Sequence, residues 1–454
     1  MNVVERRVEP LGADELSLAA KIATRAARVG VIGLGYVGLP LAAAAGGARF
    51  SVVGFDIDEA KVEALRAGRS YIDAVSGAAL RRLVDAQRFR ATSDFRELAD
   101  CDVICICVPT PLTRQREPDL SYVEATARAI AKSLRRGQLI VLESTSYPGT
   151  TEDVVQPILE ATGLRAGVDF HLAYSPERED PGNAAHNTAT IPKVVAGAGA
   201  VAGELVASFY GSVVERVVPV SSIKVAEAVK ITENVFRAVN IALVNELKTV
   251  YAEMGIDIWE VIEAAKTKPF GYMPFYPGPG LGGHCIPVDP FYLTWKSREF
   301  EISTRFIELA GEINTAMPRY VVRRLEEALD RRQGLSLSRA AVLVIGVAYK
   351  KNVADMRESP ALKVLELLHG RAADVVYHDP LVARIPPTRE HPALAGKESV
   401  ALTPETIAAC NAAVIVTDHD VVDYQLLAAH SRLIVDTRNA LARRGVASAA
   451  VVKA

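Results

Sequence analysis

Cysteine is scarce in this sequence, and the spacing of the cysteines is typical neither of a disulfide-stabilised fold nor of a zinc site. Three of the five, Cys101, Cys105 and Cys107, lie in one apolar strand-like run, and no pair of Cys-x-x-Cys knuckles is present. Evenly spaced cysteines are typical of disulfide-rich secreted domains, and paired knuckles are typical of zinc sites. We therefore expect unpaired cysteines, a reducing compartment and no metal.

An excess of charge of one sign is also missing. The 52 Lys and Arg residues nearly balance the 54 Asp and Glu residues, for a formal net charge of -2. Proteins that bind nucleic acid or an anionic membrane by broad electrostatic attraction carry a marked basic excess. Because this chain has none, we expect neither kind of partner. The chain also has no fixed-period repeat and no low-complexity tract.

The chain also lacks a convincing membrane-spanning run. Residues 29–48 carry no charge, but seven glycines and prolines interrupt them, so strand, turn and buried helix fit better than a membrane span. The first residues include Glu5, Arg6, Arg7 and Glu9 and contain no apolar stretch followed by a small-residue cleavage site. We expect no signal peptide and a cytoplasmic protein.

The chain does have the length for several domains, since 454 residues at about 100–200 per domain predict about two to four. Short apolar runs alternate with helical patterns at both ends, which is typical of parallel sheets covered by helices. Between them, residues 222–254 contain no Gly or Pro and have apolar residues at helical spacing. The predicted strands are 27–32, 51–56, 103–108, 139–143, 341–345, 374–378, 412–417 and 433–436, and the predicted helices are 123–134, 222–254, 303–329, 360–369 and 421–430.

A glycine fingerprint follows the first predicted strand. Gly33, Gly35 and Gly38 form Gly-x-Gly-x-x-Gly ahead of a helix, and Asp56 ends the next strand. In dinucleotide sites such glycines permit a tight turn and a close approach to the pyrophosphate, while an acid about 20 residues on binds the ribose 2′-hydroxyl. The pattern predicts NAD rather than NADP, because a 2′-phosphate would face the Asp56 carboxylate. A glycine turn that only packs and a solvated Asp56 are the alternatives.

Cys285 differs from the other cysteines because it follows three closely spaced glycines and lies near His284 and Asp289. Glycines let a ligand approach the backbone, and polar neighbours are unusual for a buried cysteine. We interpret Cys285 as a nucleophile that holds an aldehyde after a first hydride has left. A small buried side chain is the alternative, and for His284 a structural role is favoured over that of a base.

Other polar residues are candidates for the same chemistry. Lys230 and Asn234 lie four residues apart and share a face of the long predicted helix, where they could donate hydrogen bonds to an oxyanion. Glu177 and Arg178 lie in a dense charged loop, where they could orient a water and contact a substrate. Thr145 follows a predicted strand at the carboxyl edge, where open α/β sheets bind ligands. A solvated helix stripe and a surface turn are the alternatives.

Taken in order, these motifs resemble the UDP-sugar 6-dehydrogenase family, which includes UDP-glucose and UDP-N-acetylhexosamine dehydrogenases. The resemblance runs from about Arg28 to about Asn439. The motifs that carry it are Gly-Leu-Gly-Tyr-Val-Gly-Leu-Pro at 33–40, Val-Pro-Thr-Pro at 108–111, Glu-Ser-Thr at 143–145, Ser-Pro-Glu at 175–177, Lys230 with Asn234, Gly-Gly-His-Cys-Ile-Pro-Val-Asp at 282–289, and Lys350 with Arg-Glu-Ser at 357–359.

The resemblance implies an α/β fold in which two Rossmann-like doubly wound domains are joined by a central helical domain with one long helix. The implied division is an N-terminal extension at 1–27, an NAD-binding domain at 28–220, a central domain with the cysteine loop at 221–335, and a UDP-sugar-binding domain at 336–454. The family also forms dimers through the long helix, so we expect a homodimer.

The resemblance further implies a four-electron oxidation of a sugar C6 alcohol to a carboxylate, with two NAD and one water. The nucleophile forms a thiohemiacetal with the aldehyde and then a thioester, which water releases. The residues implied to act are Cys285 as nucleophile, Lys230 and Asn234 at the oxyanions, Thr145 and Asp289 with a proton-relaying water, and Glu177 in hydrolysis.

Two binding sets follow from the same resemblance, with Lys350 expected near the UDP and Arg357 expected to reach toward the dinucleotide. A plain basic loop is the alternative for both. The cofactor-binding set is Gly33, Gly35, Tyr36, Val37, Gly38, Asp56, Pro109, Thr110, Thr145 and Arg357, and the substrate-binding set is Glu177, Arg178, Lys230, Asn234, Gly282 and Lys350.

The sugar part of the substrate is inferred from segments 177–183 and 268–280. Their sequences look most like those of the UDP-N-acetylglucosamine 6-dehydrogenase branch of the family. UDP-glucose enzymes usually have apolar residues after Ser-Pro-Glu, where this chain has Arg178-Glu179-Asp180. UDP-glucose and UDP-N-acetylgalactosamine remain alternatives. A two-electron β-hydroxyacid dehydrogenase would need no cysteine loop, and a non-catalytic NAD-sensing protein should have lost some of these residues, so both are disfavoured.

Overall fold

The computed structural model describes residues 17–72, 74–113, 115–179, 188–283, 285–372, 374–388 and 390–454. His284 and residues 180–183 of the predicted charged loop lie outside the described residues. The chain separates into two compact units, unit 1 with Met1–Pro111 and Asp119–Lys230, and unit 2 with Leu112–Pro118 and Ile231–Ala454. The three domain ranges given above stay a prediction.

Unit 1 is built around one eight-stranded sheet. Its strands are β1 (Arg28–Ile32), β2 (Ser51–Phe55), β3 (Phe89–Thr92), β4 (Val103–Ile106), β5 (Leu139–Leu142), β6 (His171–Tyr174), β7 (Lys193–Gly197) and β8 (Val217–Pro219). They lie in the order β3-β2-β1-β4-β5-β6-β7-β8. All neighbours are parallel except β6 and β7, which are antiparallel.

The strands of this sheet are apolar along their length because helices cover both faces. In β4, Val103 and Cys105 belong to the core on one face, while Ile104 and Ile106 belong to the core on the other. Such continuous apolar strands are typical of parallel sheets buried on both sides. The helices of unit 1 are α1 (Leu18–Thr24), α2 (Gly38–Gly47), α3 (Glu59–Arg66), α4 (Gly77–Asp85), α5 (Ser121–Ala131), α6 (Gln156–Glu160) and α7 (Ala200–Gly211).

A single long helix, α8 (Ile223–Glu253), contains the boundary between the two units, which falls after Lys230. It is uninterrupted because no Gly or Pro occurs within it, and Gly255, just beyond its end, adopts a left-handed φ of 73°. A left-handed glycine is a common helix stop. The long helix predicted at 222–254 is therefore confirmed.

Unit 2 is built around a five-stranded parallel sheet. Its strands are β9 (Ala341–Ile345), β10 (Asp374–His378), β11 (Ala412–Ile415), β12 (Ile434–Asp436) and β13 (Val451–Lys453). They lie in the order β10-β9-β11-β12-β13. The helices are α9 (Ile258–Ala265), α10 (Asp289–Ser297), α11 (Arg305–Gln333), α12 (Pro360–His369), α13 (Pro404–Ala409), α14 (Tyr424–His430) and α15 (Ala440–Arg443).

The strand order of each sheet shows where a ligand is expected to bind. In unit 1 the chain winds outward from β1 in both directions, and in unit 2 it does so from β9. This is the doubly wound, Rossmann-like arrangement, in which ligands bind at the carboxyl ends of the strands where the winding reverses. The predicted fold class is confirmed. The sequence had not indicated the antiparallel pair of β6 and β7.

Candidate active site

The glycine fingerprint forms the turn between β1 and α2. Gly33 has a left-handed φ of 88°, and a Cβ on it would lie 2.6 Å from the Cys107 carbonyl oxygen. A Cβ on Gly38 would lie 1.9 Å from the Gly33 carbonyl oxygen, so both positions exclude a side chain. A Cβ on Gly35 would meet nothing within 4 Å. The backbone at Gly35 is thus open to a ligand, as a pyrophosphate requires.

Asp56 lies directly beside this turn. One carboxylate oxygen accepts the Leu34 N–H at 2.9 Å and the other accepts the Asp58 N–H at 3.0 Å. The Tyr71 hydroxyl donates to the Leu34 carbonyl at 2.5 Å, and burial, together with the nearby carboxylates, raises the pKa of Tyr71. Asp56 is 8% exposed. It therefore sits at the rim of the glycine turn, where a ribose hydroxyl is expected.

Two threonines from neighbouring strand ends are joined in the same unit. The Thr110 hydroxyl donates to the Thr145 carbonyl at 2.7 Å, and the Ser144 hydroxyl donates to the Val108 carbonyl at 2.7 Å. These bonds tie the segment after β4 to the segment after β5. Thr145, Thr110 and Pro109 are therefore held at the carboxyl edge of the sheet, next to the strand that precedes the glycine turn.

Glu177 and Lys230 form an ion pair in unit 1. The Lys230 ammonium nitrogen lies 3.6 Å from a Glu177 carboxylate oxygen, and the two side chains are 6% and 13% exposed. Glu177 also accepts the backbone N–H of Glu179. Burial, with a contribution from Glu177, raises the pKa of Glu179 to about 7. Arg178 donates to the Pro192 carbonyl at 2.6 Å, which holds the described part of the charged loop against the segment that enters β7.

The cysteine loop of unit 2 makes a turn into α10. The Cys285 carbonyl accepts the Asp289 N–H at 2.8 Å. A Cβ on Gly282 would lie 2.6 Å from Cβ of Tyr349, and one on Gly283, whose φ is 83°, would lie 3.0 Å from the Tyr349 ring. The Gly283 N–H also donates to the Arg357 carbonyl at 3.0 Å. The glycines thus let the loop pack closely on the segment that follows β9.

Cys285 is the one partly exposed cysteine of the five, all of which lie in described parts of the chain and none of which forms a disulfide. Burial raises the pKa of the Cys101 thiol to about 12 and also raises the pKa values of Cys105, Cys107 and Cys410. A thiol must ionise and be reached by its partner to react as a nucleophile. The accessible cysteine is therefore the one predicted to be catalytic.

Asn234 and Asp289 meet in unit 2 although 55 residues separate them. The Asn234 amide donates to an Asp289 carboxylate oxygen at 2.6 Å, and both side chains are buried. Asp289 is also the first residue of α10, where the helix dipole favours a negative charge. The pair therefore holds a carboxylate four residues from the predicted nucleophile.

Lys350 and Arg357 both lie in the segment between β9 and α12. Arg357 forms a two-pronged pair with Asp355, in which Nε lies 2.9 Å and Nη2 lies 2.6 Å from one carboxylate oxygen. Its side chain is 40% exposed. The guanidinium is thus held by its own loop, and the predicted contact between Arg357 and a dinucleotide stays a prediction.

Sequence reasoning missed the buried charges beneath these segments. Glu143 pairs with Lys193 at 2.6 Å and accepts the Tyr210 hydroxyl, so it is an internal ion pair rather than a ligand group. Glu227 accepts the N–H of Gly149 at 2.5 Å and the N–H of Thr151 at 2.9 Å. The only sign of such buried carboxylates in the sequence is a charged residue in a predicted helix or strand. Helices and strands with a solvent-exposed face carry charged residues as well, so this sign does not distinguish the two cases.

Among the described residues, no group of three or more His, Cys, Asp or Glu side chains could hold a metal ion. No helix in the same ranges is long and apolar enough to cross a membrane.

Three domains of one family match this chain. The NAD binding domain of the UDP-glucose/GDP-mannose dehydrogenase family matches residues 27–214, its central domain matches 224–316, and its UDP binding domain matches 343–443. The NAD binding domain contains the glycine turn and Asp56. The central domain contains Lys230, Asn234 and the cysteine loop, and the UDP binding domain contains Lys350.

Named relatives agree with this family. A UDP-N-acetyl-D-glucosamine 6-dehydrogenase of Pseudomonas aeruginosa is 40% identical over 78% of this chain and 83% of its own length. A UDP-N-acetyl-D-mannosamine dehydrogenase of Pyrococcus horikoshii is 36% identical over 78% of this chain and 84% of its own length. The solved structure of a UDP-D-ManNAc dehydrogenase from Pyrococcus horikoshii has a TM-score of 0.84 and 33% identity, and covers 94% of this chain and 98% of its own. The chain therefore belongs to the UDP-glucose/GDP-mannose dehydrogenase family and is an NAD-dependent UDP-sugar dehydrogenase.

Proposed function

We propose that this protein oxidises the C6 alcohol of UDP-N-acetylglucosamine to a carboxylate, with Cys285 as the covalent nucleophile. The observation that carries the proposal is the cysteine loop. There, the one partly exposed cysteine is followed, four residues on, by a buried carboxylate that accepts the Asn234 amide. A two-electron alcohol dehydrogenase has no use for such a nucleophile.

The glycine turn fits the dinucleotide. Gly35 offers open backbone at the helix N-terminus, and Asp56 offers a carboxylate at the rim of the turn. NAD supplies the hydride acceptor for both oxidations. The chain's part is to bind and orient it, with Tyr36, Val37, Pro109 and Thr110 around the turn.

Covalent capture by Cys285 accounts for oxidation beyond the aldehyde. The thiolate adds to the aldehyde carbon and forms a thiohemiacetal, whose C6 hydrogen leaves as a second hydride and whose hydroxyl proton is released. The resulting thioester is attacked by water, the C–S bond breaks, and the thiolate returns to Cys285 as the carboxylate forms. The aldehyde stays bound to the enzyme throughout.

Lys230 and Asn234 are proposed to stabilise the oxyanions formed at C6. Donors of this kind are typically worth about 10²–10³ in rate each. The Asp289 carboxylate, held by Asn234, is proposed to orient with Thr145 the water that carries protons away. Glu177, which lies 3.6 Å from the Lys230 ammonium, is proposed to orient the hydrolytic water.

The choice of sugar rests on two observations. The charged residues Arg178 and Glu179 follow Ser-Pro-Glu, and a relative named for UDP-N-acetyl-D-glucosamine is 40% identical. UDP-N-acetylmannosamine is the second candidate, because a relative named for it is 36% identical. The product would be a nucleotide-linked uronic acid of the kind used to build surface polysaccharides.

A panel of four substrates tests the sugar. We expect kcat/KM to be highest for UDP-N-acetylglucosamine, ahead of UDP-N-acetylmannosamine, UDP-N-acetylgalactosamine and UDP-glucose. Arg178→Ala should change the ratios, whereas Arg136→Ala, on an exposed arginine of the same unit, should leave them unchanged. A highest value for another sugar would overturn the substrate but leave the chemistry.

We also propose a homodimer formed through the long helix. Phe236, Leu243 and Val250 recur every seven residues on α8 and are 47%, 51% and 47% exposed. An exposed apolar stripe on a helix is typical of a face that a partner covers. A second copy of the chain is the partner proposed.

A further inference from the structure

Two loops meet at the carboxyl edge of the unit 2 sheet. They are the β9 loop, residues 346–359, and the β11 loop, residues 416–423. Strands β9 and β11 are parallel neighbours, and the winding reverses between them. Loops at such a point form the ligand crevice of doubly wound sheets. Both loops fall within the match to the family's UDP binding domain.

The two loops are joined by hydrogen bonds around Asn352. Its backbone N–H donates to His419 Nδ1 at 2.9 Å, its side-chain oxygen accepts the Asp420 N–H at 2.9 Å, and its amide donates to the Asp420 carboxylate at 2.6 Å. Asn352 holds a left-handed φ of 62°, which Asn adopts more readily than most residues. The β9 loop is thus fixed to the β11 loop two residues after Lys350.

His419 anchors this junction in the interior. Its side chain is fully buried, and its Nε2 lies 3.1 Å from the Asp379 carboxylate. The same carboxylate accepts the Val347 N–H at 2.7 Å and the Ala348 N–H at 3.2 Å. Because Asp379 accepts at Nε2, the ring proton lies there, and Nδ1 is left to accept from Asn352. His419 therefore links the start of the β9 loop, through Asp379, to its middle.

The other side of the β9 loop supports the cysteine loop. Tyr349, the residue before Lys350, packs on Gly282 and Gly283 so closely that neither could carry a side chain. The Arg357 carbonyl accepts the Gly283 N–H at 3.0 Å. A shift of the β9 loop would therefore move both Lys350 and the backing of the cysteine loop.

We propose that His419 and Asn352 are positioning residues of the UDP-sugar site, which fix the β9 loop so that Lys350 can bind the diphosphate. The inference rests on the proposed function, a UDP-sugar as substrate, and on the expectation from the family resemblance that Lys350 lies near the UDP. Neither residue needs to touch the substrate. His419 acts through Asn352, and Asn352 acts through the backbone that carries Lys350.

Binding of free UDP, measured by calorimetry on the full chain, is the test. His419→Ala should weaken UDP binding by about ten- to hundredfold, because the loop would no longer hold the Lys350 ammonium in place. The loss of one charged hydrogen bond to a ligand has about this effect on Kd. NAD binding should change by less than about twofold, and His419→Gln, which keeps a donor and an acceptor, should recover part of the UDP affinity. His430→Ala is the matched control, since that histidine is exposed at the end of α14. A variant that only loses folded protein would lower the binding stoichiometry and leave the Kd unchanged.

A double-mutant cycle shows whether the effect passes through Lys350. If it does, His419→Ala should add little to Lys350→Ala, because the effects of residues that act through one network are not additive. Full additivity would overturn the proposal, and so would unchanged UDP affinity in His419→Ala. Should that variant not fold, Asn352→Gly tests the Asn352 part of the link, since glycine keeps the left-handed backbone and the N–H bond to His419 but loses the side-chain bonds to Asp420. UDP binding should then weaken, and an unchanged Kd would overturn the role of Asn352. Wild-type protein that binds no UDP would instead refute the proposed function.

Discussion

Replacing Lys248 by methionine is expected to stabilise unit 2 at neutral pH. Lys248 is buried on α8, where its ammonium donates to the Gly278 carbonyl at 3.3 Å and lies 5.1 Å from the Tyr320 ring centre. Burial, reinforced by the charges of Arg438 and Arg324, lowers its pKa from 10.5 to about 7. Methionine has a similar length and no charge to desolvate.

The magnitude follows from that pKa. A change from 10.5 to about 7 corresponds to about 5 kcal/mol of unfavourable free energy for a lysine that is charged in the unfolded chain. Methionine removes this cost but also removes the hydrogen bond to Gly278 and leaves its carbonyl unpaired, at about 1–3 kcal/mol. The net gain at pH 7 is therefore about 2–4 kcal/mol.

The pH dependence has a definite sign. Below about pH 7 Lys248 is protonated in both the folded and unfolded states, so the cost is constant. Between pH 7 and 10.5 only the unfolded chain keeps the proton, so wild-type stability rises with pH through this window. The advantage of Lys248→Met should therefore be full at pH 6–7 and disappear by about pH 10.

Urea unfolding followed by tryptophan fluorescence measures this, because both tryptophans, Trp259 and Trp295, belong to unit 2. Lys363→Met is the control, since Lys363 is half-exposed in a surface pair with Glu366 and should change stability by less than about 1 kcal/mol at any pH. A loss of stability in Lys248→Met at pH 7, or a difference from wild type that does not vary between pH 6 and 10, would refute the reasoning.

Three further predictions concern the site and the assembly. Asp56→Asn should weaken NAD binding more than NADP binding, measured as the ratio of the two KM values, because the amide does not repel a 2′-phosphate; an unchanged ratio would remove the ribose assignment. Asn234→Ala and Asp289→Ala should each lower kcat by about tenfold or more. Because the two side chains share one hydrogen bond, the double variant should have about the kcat of the less active single variant. Additive losses would argue against a joint role. Leu243→Glu should convert a dimer to a monomer in light scattering, and an unchanged mass would place the interface elsewhere.

Sequence periodicity was enough for the main elements of both units. The predicted strands at 341–345 and 374–378 and the helix at 360–369 coincide with β9, β10 and α12. Their apolar runs are buried on both sides or along one face, which gives a strong local signal. Capping agrees, since Ser359 accepts the Ala361 N–H at 3.3 Å and Pro360 begins the helix.

Shorter or atypical elements were not predictable in the same way. Strand β7 pairs antiparallel with β6, although all other neighbouring strands of the same sheet are parallel. The direction of a strand is set by its long-range partner and by the connection that delivers it, and neither leaves a periodic mark on the sequence.

The candidate site divides along the same line. Gly33 and Gly38 could be predicted from the spacing of the fingerprint, because each occupies a backbone position that a Cβ would block. The glycines before Cys285 were expected to let a ligand approach the backbone, whereas Gly282 and Gly283 pack against Tyr349. The contacts between Asn234 and Asp289 and between Asn352 and His419 join residues 55 and 67 positions apart. Such contacts depend on how whole helices, strands and loops pack together, so no local sequence pattern predicts them.

The most direct test of the account is the amount of NADH formed per mole of limiting UDP-N-acetylglucosamine. Oxidation of an alcohol to a carboxylate through a thioester on Cys285 predicts two equivalents for the wild-type protein. For Cys285→Ala it predicts binding of both ligands without formation of the acid. A single equivalent in the wild-type protein, or two equivalents from Cys285→Ala, would contradict the covalent four-electron mechanism.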